Sequence, residues 1–367
     1  MEARELPSGP TSHDEQLDGL RTLAVGGVLY AHFLADGSLA GHAGVRLFFV
    51  LSGFLISRIL IEVAGREEFR LRTALVAFYA RRVLRIAPAY LLLIALVYAL
   101  GAVEERGAFK WFFTYLSNFL YAIRDAWDPW VMGHTWSLAI EEQFYALWPL
   151  VIFLTPPRHL KAACWAAIGL SLAYRCVLPV TLEPSITRDL LPPAAMDALG
   201  AGALLAVYRS RGEAPLAGRL GPVAALSFAG FLVTYYAAPV DGLAAWAQWA
   251  AREVLLVPVF LWAVNGAVEG FRGPLGRLLC NRQMRYIGRI SYGIYLYHFL
   301  VLWAVLQLFP HVPALGANGW ARFLVGTPLA VLAATASWFL LEEPVNRLKR
   351  HFPYTRRVLP ADLPVQA

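Results

Sequence analysis

The chain has 367 residues, 58% hydrophobic and 16% charged, with a net charge of +7 and a mean hydropathy of +0.53. A soluble chain of this size carries about a quarter charged residues, because its surface must be wetted, so a soluble globular protein is excluded. The basic excess does not indicate nucleic acid either, since no basic stripe with interleaved aromatics stands apart from the apolar runs.

The first sixteen residues are polar and acidic, with no basic stretch leading into an apolar core. They read as a cytoplasmic tail (1–16) rather than a cleaved signal. Apolar runs of roughly bilayer length then lie near 20–37, 44–64, 86–103, 108–123, 143–155, 162–180, 194–208, 220–238, 248–268, 290–309 and 322–341. The chain is therefore expected to be an all-α, polytopic integral membrane protein, with one membrane domain (17–345) in the lipid bilayer and a basic tail (346–367). Twenty-one Lys and Arg residues fall in 65–85, 156–161, 209–219, 272–289 and the tail. Only four (Arg106, Lys110, Arg124, Arg188) fall in the intervening connections.

Cytoplasmic loops carry the basic excess, so 65–85 and 156–161 lie on one side and only two of the three runs between them cross. The shortest and most aromatic, 108–123 with Lys110 and Asn118, reads as an interfacial or re-entrant piece of a long outer connection (104–142). That leaves about ten transmembrane helices with both termini cytoplasmic. Cys164, Cys176 and Cys280 form neither a disulfide framework nor a metal pattern, and no metal is expected.

Arg21 and His32 lie eleven residues apart in the first run. On a straight helix they are about 16 Å apart along the axis and within about 20° of one face. Ionisable groups at such depth are costly and default to function; on spacing alone, a snorkelling Arg21 and a hydrogen-bonded core His32 are an equal account.

The block "LDGLRTLAVGGVLYAHF" (17–33) resembles the opening of the acyltransferase family 3 membrane proteins, whose mark is Arg or Lys, ten residues, then His. "GVRLFFVLSGFLISRIL" (44–60), "FYARRVLRIAPAY" (78–90), "HTWSLAIEEQFYALWP" (134–149), "ISYGIYLYHF" (290–299) and "EEP" (342–344) are similar to further family blocks, in the family's order. One departure is visible: members often carry Arg two residues before the Asp of the seventh span, where this chain has Ala195 before Asp197. The chain also ends soon after its last run, so the resemblance implies a member without the extracytoplasmic hydrolase-like domain that some append.

The resemblance implies transfer of an acyl group, acetyl first among the candidates, from cytoplasmic acyl-CoA to a hydroxyl outside, in a bacterial cytoplasmic membrane. An imidazole near pKa 6.5 is largely neutral at pH 7 and can take the hydroxyl proton. His32 is the candidate base, with an acyl-histidine as the alternative. Guanidinium forks pair with phosphates, which suits Arg82 and Arg85 to the CoA nucleotide, with Arg21 at the inner mouth. Glu141 and Glu142, expected in the outer connection, either orient His32 or the acceptor, or are partners of a helix start. Trp136 and Tyr145 could stack on sugars or serve as interfacial belt residues. His298 reads as a hydrogen-bonded or acceptor-side residue and His134 as an uninformative loop residue. Arg175 is an intramembrane charge that either faces the acceptor side or pairs with an acidic group, and Asp197 is a candidate on the acceptor side. Ser52 reads as a small packing residue beside Gly53.

The acceptor classes served by relatives are lipopolysaccharide, exopolysaccharide, cell-wall glycan and glycosylated natural products. Two other readings compete. One is a transporter or flippase of a lipid-linked or glycan substrate, which internal repeats would support and which the single occurrence of each block does not. The other is the unrelated membrane-bound O-acyltransferase type, whose key histidine lies late in the chain.

Overall fold

The computed structural model describes residues 12–181, 185–213, 218–238, 240–317 and 319–354, and among them every regular element is helical. Hydrocarbon offers no hydrogen-bond partner to an exposed peptide group, and a helix satisfies its own.

Helix α1 (Ser12–Leu29) runs on into a π-turn at Tyr30–Leu34. Then come α2 (Leu39–Ala64) and α3 (Leu71–Ala99). The short α4 (Phe109–Phe113) and α5 (Ser117–Arg124) lead to α6 (Thr135–Leu154). Helix α7 (Leu160–Thr181), a turn at α8 (Thr187–Leu190), α9 (Met196–Ser210), α10 (Leu220–Tyr236) and α11 (Gly242–Glu269) follow. The chain closes with α12 (Gly273–Leu279), α13 (Arg282–Leu308), α14 (Pro313–Gly316), α15 (Trp320–Ser337), a second π-turn at Trp338–Glu342, and α16 (Glu343–Asn346).

Each of the ten expected crossings coincides with a helix, and among the described residues seven stretches are long and apolar enough to cross a membrane. Helix α9, with 15 residues, covers about 22 Å, short of the roughly 30 Å hydrocarbon core. The segment 108–123 is broken at Tyr115, whose φ is +55°, and neither α4 nor α5 is long enough to cross.

Several helices start before their apolar runs, and two of these boundaries bear on the site. Helix α3 starts at Leu71, so Arg72, Arg81, Arg82 and Arg85 lie on it and not in a loop; arginine is a good helix former, and the apolar pattern marks only the half in lipid. Helix α6 starts at Thr135, which moves Glu141 and Glu142 out of the connection and into its second turn. The polar start of α6 is satisfied by neighbours, Thr135 Oγ1 donating to Ser117 Oγ at 3.0 Å and Ser137 Oγ sharing a 2.6 Å bond with Tyr295 Oη.

The bundle centres on α13. Its most apolar window is 61% buried, against 22% for Trp320–His351, which therefore faces lipid. Helices α2 and α9 cross through glycine: a Cβ on Gly53 would lie 2.0 Å from the Leu199 carbonyl oxygen, and one on Gly202 2.1 Å from that of Val50. Small residues let membrane helices approach this closely. Gly53→Ala is expected to destabilise by at least about 1–3 kcal/mol, the usual range for overpacking. A lowered midpoint in detergent thermal unfolding checks it, and an unchanged midpoint contradicts it.

Candidate active site

A cavity opens between α1, α2, α3, α6 and α13. Arg21, Arg82, Arg85, Ser52, Glu141 and Tyr145 line it. Phe48, Ser137 and Tyr295 form another part of its wall. Arg21 pairs with Asp18 at 2.6 Å, one turn back on α1. Arg85 pairs with the buried Glu342 at 3.2 Å and lies over Trp338 and Tyr292. The π-turn at Trp338–Glu342 carries that carboxylate, which Ser337 also reaches at 3.2 Å. Arg82 stands over Phe78 and Tyr145 and has no carboxylate within ion-pair reach among the described residues. A second groove shares Arg82 and adds Glu62, Arg66, Arg81, Lys349 and Tyr354. Together the two put the Arg82 guanidinium where a mainly basic groove meets a partly aromatic chamber.

Of the adjacent carboxylates, Glu141 faces this cavity, accepting from Ser52 Oγ at 2.9 Å and from Tyr145 Oη at 3.3 Å. Glu142 does not line it, and its Oε1 has no hydrogen-bond partner among the described residues. Neither bonds to His32. Ser52 thus holds a carboxylate, and the helix contact expected of it falls to Gly53 alone. Trp136 packs on Phe49 and Trp127, away from the cavity lining.

His32 does not line the cavity. It is half-buried on the π-turn that ends α1. A π-turn holds more residues per turn than an α-turn, so a straight-helix extrapolation does not fix its facing; its contacts do. His32 Nδ1 lies 2.9 Å from His298 Nε2 with the rings parallel, and Phe299 covers it at 4.5 Å between centroids. His298 is fully buried, its Nδ1 2.6 Å from the Tyr295 carbonyl oxygen.

His134, dismissed by the sequence as a loop residue, packs edge-on against His298 at 4.9 Å, and its carbonyl accepts from Tyr295 Oη at 2.8 Å. Burial, aided by the neighbouring His32, lowers the His134 imidazole to about 3, so it is neutral at physiological pH. Tyr295 therefore belongs to both halves. It lines the cavity, and its carbonyl accepts from His298 Nδ1.

Arg175 and Asp197 sit apart from both, in a buried network with Arg46, Glu253 and His42 that sequence reasoning missed. Arg46 forks onto Asp197 at 2.9 and 2.6 Å, and Arg175 reaches the same carboxylate at 3.1 Å. Glu253 Oε2 lies 3.4 Å from Arg46 Nε and 3.7 Å from Arg175 Nη2, and its Oε1 2.5 Å from His42 Nε2. The arginine absent from position 195 is thus supplied from α2 and α7. The signal was available, since Arg46 and Glu253 are opposite charges inside apolar runs.

The acyltransferase domain of family 3 matches residues 14–341, and the chain belongs to that family of membrane acyltransferases. It is 28% identical over 361 residues to the peptidoglycan O-acetyltransferase OatA of Listeria monocytogenes, covering 90% of this chain and 55% of that protein. It is also 28% identical over 372 residues to the putative peptidoglycan O-acetyltransferase YrhL of Bacillus subtilis, covering 93% and 56%. With O-acetyltransferase OatA of Staphylococcus aureus it shares 39% over 151 residues, 37% of this chain and 24% of that one. The chain spans about half the length of the curated relatives it matches. No solved structure matches it.

Proposed function

We propose that this protein is a membrane O-acetyltransferase. It takes an acetyl group from cytoplasmic acetyl-CoA and places it on a hydroxyl of cell-wall glycan, peptidoglycan first, at the outer side of a bacterial cytoplasmic membrane. In this reading ten helices cross, both termini are cytoplasmic, and His32 is the general base. The observation that carries it is that an arginine-lined chamber and a histidine cluster meet at Tyr295, which lines the chamber and whose carbonyl contacts His298, the neighbour of His32.

The donor fits the residues present. Arg82, with no carboxylate in ion-pair reach among the described residues, joins Arg66, Arg81 and Lys349 to receive the nucleotide phosphates, and Tyr354 offers a ring to the base. Arg21 and Arg85 supply further charge once Asp18 and Glu342 yield their share. The pantetheine arm then runs along Phe48, Ile86 and Tyr292. For its thioester to meet His32, the Ser137–Tyr295 layer parts. Glu141 and Tyr145 stay with the donor, and the acceptor sugar approaches from the half-exposed face of His32 beside Trp130 and Phe299. The reading of Trp136, Arg175 and Asp197 as acceptor contacts gains no support from these positions.

The test is reconstitution of the purified chain in vesicles, with radiolabelled acetyl-CoA on one face only and chitooligosaccharide or soluble peptidoglycan fragments on the other. Acetylated glycan on the far side is expected, and a flippase would give none. Arg82→Ala is expected to weaken acetyl-CoA binding at least about tenfold, the scale of one lost charge-assisted hydrogen bond of about 1.5–3 kcal/mol. Isothermal titration with CoA measures it, and native affinity would remove Arg82 from the donor site. Ser137→Phe, which adds bulk where Ser137 meets Tyr295, is expected to block transfer and leave that affinity unchanged.

A further inference from the structure

We infer that His298 is the positioning residue of His32 and decides which of its nitrogens is the free base, an inference resting on the reading of His32 as proton acceptor. A carbonyl oxygen only accepts, so His298 Nδ1, 2.6 Å from the Tyr295 carbonyl, carries a proton. A neutral imidazole has one N–H, so His298 Nε2 is a lone pair. That lone pair faces His32 Nδ1 at 2.9 Å. Two lone pairs at that distance repel, so the proton between the rings belongs to His32 Nδ1. The remaining nitrogen, His32 Nε2, is bare and basic.

The chain of donors runs His32 Nδ1–H to His298 Nε2, then His298 Nδ1–H to the Tyr295 carbonyl. Full burial and the rings of His134 and Phe299 keep His298 from turning and reversing it. An outer hydrogen bond that sets the tautomer of a working imidazole is a general device.

The arrangement also disperses charge. As the acceptor O–H breaks and its proton joins His32 Nε2, the oxygen attacks the thioester carbon. The Nδ1 proton of His32 can then pass to His298 Nε2, so two rings share one positive charge. When the C–S bond breaks, the proton returns along the same line and the CoA thiolate takes it from His32 Nε2. No proton is gained or lost over the cycle.

The experiment uses the full chain with 15N-labelled histidine in nanodiscs, together with acetyl transfer by His298→Gln and His298→Phe. In the native protein, His32 is expected to show a protonated Nδ1 and a bare Nε2. In His298→Phe, which fills the space without accepting a proton, the two signals mix or invert. Its kcat falls about 10- to 100-fold, the usual cost of losing such an outer partner, with KM for acetyl-CoA unchanged. His298→Gln, whose amide oxygen can accept from Nδ1–H, recovers part of the rate. A protonated Nε2 in the native protein overturns the inference, as do equal rates for Gln and Phe variants of matched thermal stability. Native-rate transfer by His32→Ala with the expected tautomer intact instead overturns the base reading.

Discussion

Replacing His32 by alanine is expected to lower acetyl transfer by about 10²–10⁴, the usual contribution of a positioned general base, while acetyl-CoA binds with native affinity. The separation follows from position: His32 does not line the arginine chamber, and the residues that would grip the nucleotide lie on α3, in the connection before it and at the C-terminal turn Arg347–His351. The loss also leaves His298 Nε2 without its partner, at a cost of about 1–3 kcal/mol for a buried unsatisfied group. Thermal unfolding must therefore be read alongside activity. An acyl-histidine route is separable in the same preparation. With labelled acetyl-CoA and no acceptor, it leaves label on the chain, whereas general-base transfer leaves none. Native-rate transfer by His32→Ala would remove the imidazole from the mechanism.

The sequence carried the helices, because apolar length is a local signal. It did not carry what depends on neighbours. The starts of α3 and α6 were hidden because arginines on one and Thr135, Ser137 and the two glutamates on the other interrupt the apolar pattern. The sequence did not say which of Glu141 and Glu142 matters, yet a one-residue step turns a helical side chain by about 100°, and Glu141 is the one facing the cavity. The pairing of His32 with His298 spans 266 positions, and no spacing rule announces it. His134, one residue ahead of a helix start invisible in the apolar pattern, could not be told from an idle loop residue. Glu342 stood in a recognised block, but its partner Arg85 came only with the fold.

Removing the carboxylate of Asp197 is expected to have the largest effect on folding. Arg46, Arg175, Asp197 and Glu253 are all at most 6% exposed at their side chains, and their formal charges cancel. Asp197→Ala leaves two guanidiniums against the single carboxylate of Glu253. Breaking one partner out of such a buried set costs about 3–5 kcal/mol, because an uncompensated charge stays behind. That is a large part of a typical folding free energy. The variant is therefore expected to emerge from detergent aggregated, or with a midpoint many degrees lower, by size exclusion and thermal unfolding.

Asp197→Asn keeps an acceptor oxygen and should fall between. Pairing Asp197→Leu with Arg175→Met removes opposite charges together and should recover stability relative to Asp197→Leu alone, the non-additivity expected of residues in contact. Transfer per folded molecule in the Asn variant then decides between two roles. A purely structural network leaves KM for the acceptor unchanged, whereas the acceptor contact expected from the sequence raises it. A monodisperse Asp197→Ala protein with a native midpoint would show that this network does not hold α2, α7, α9 and α11 together.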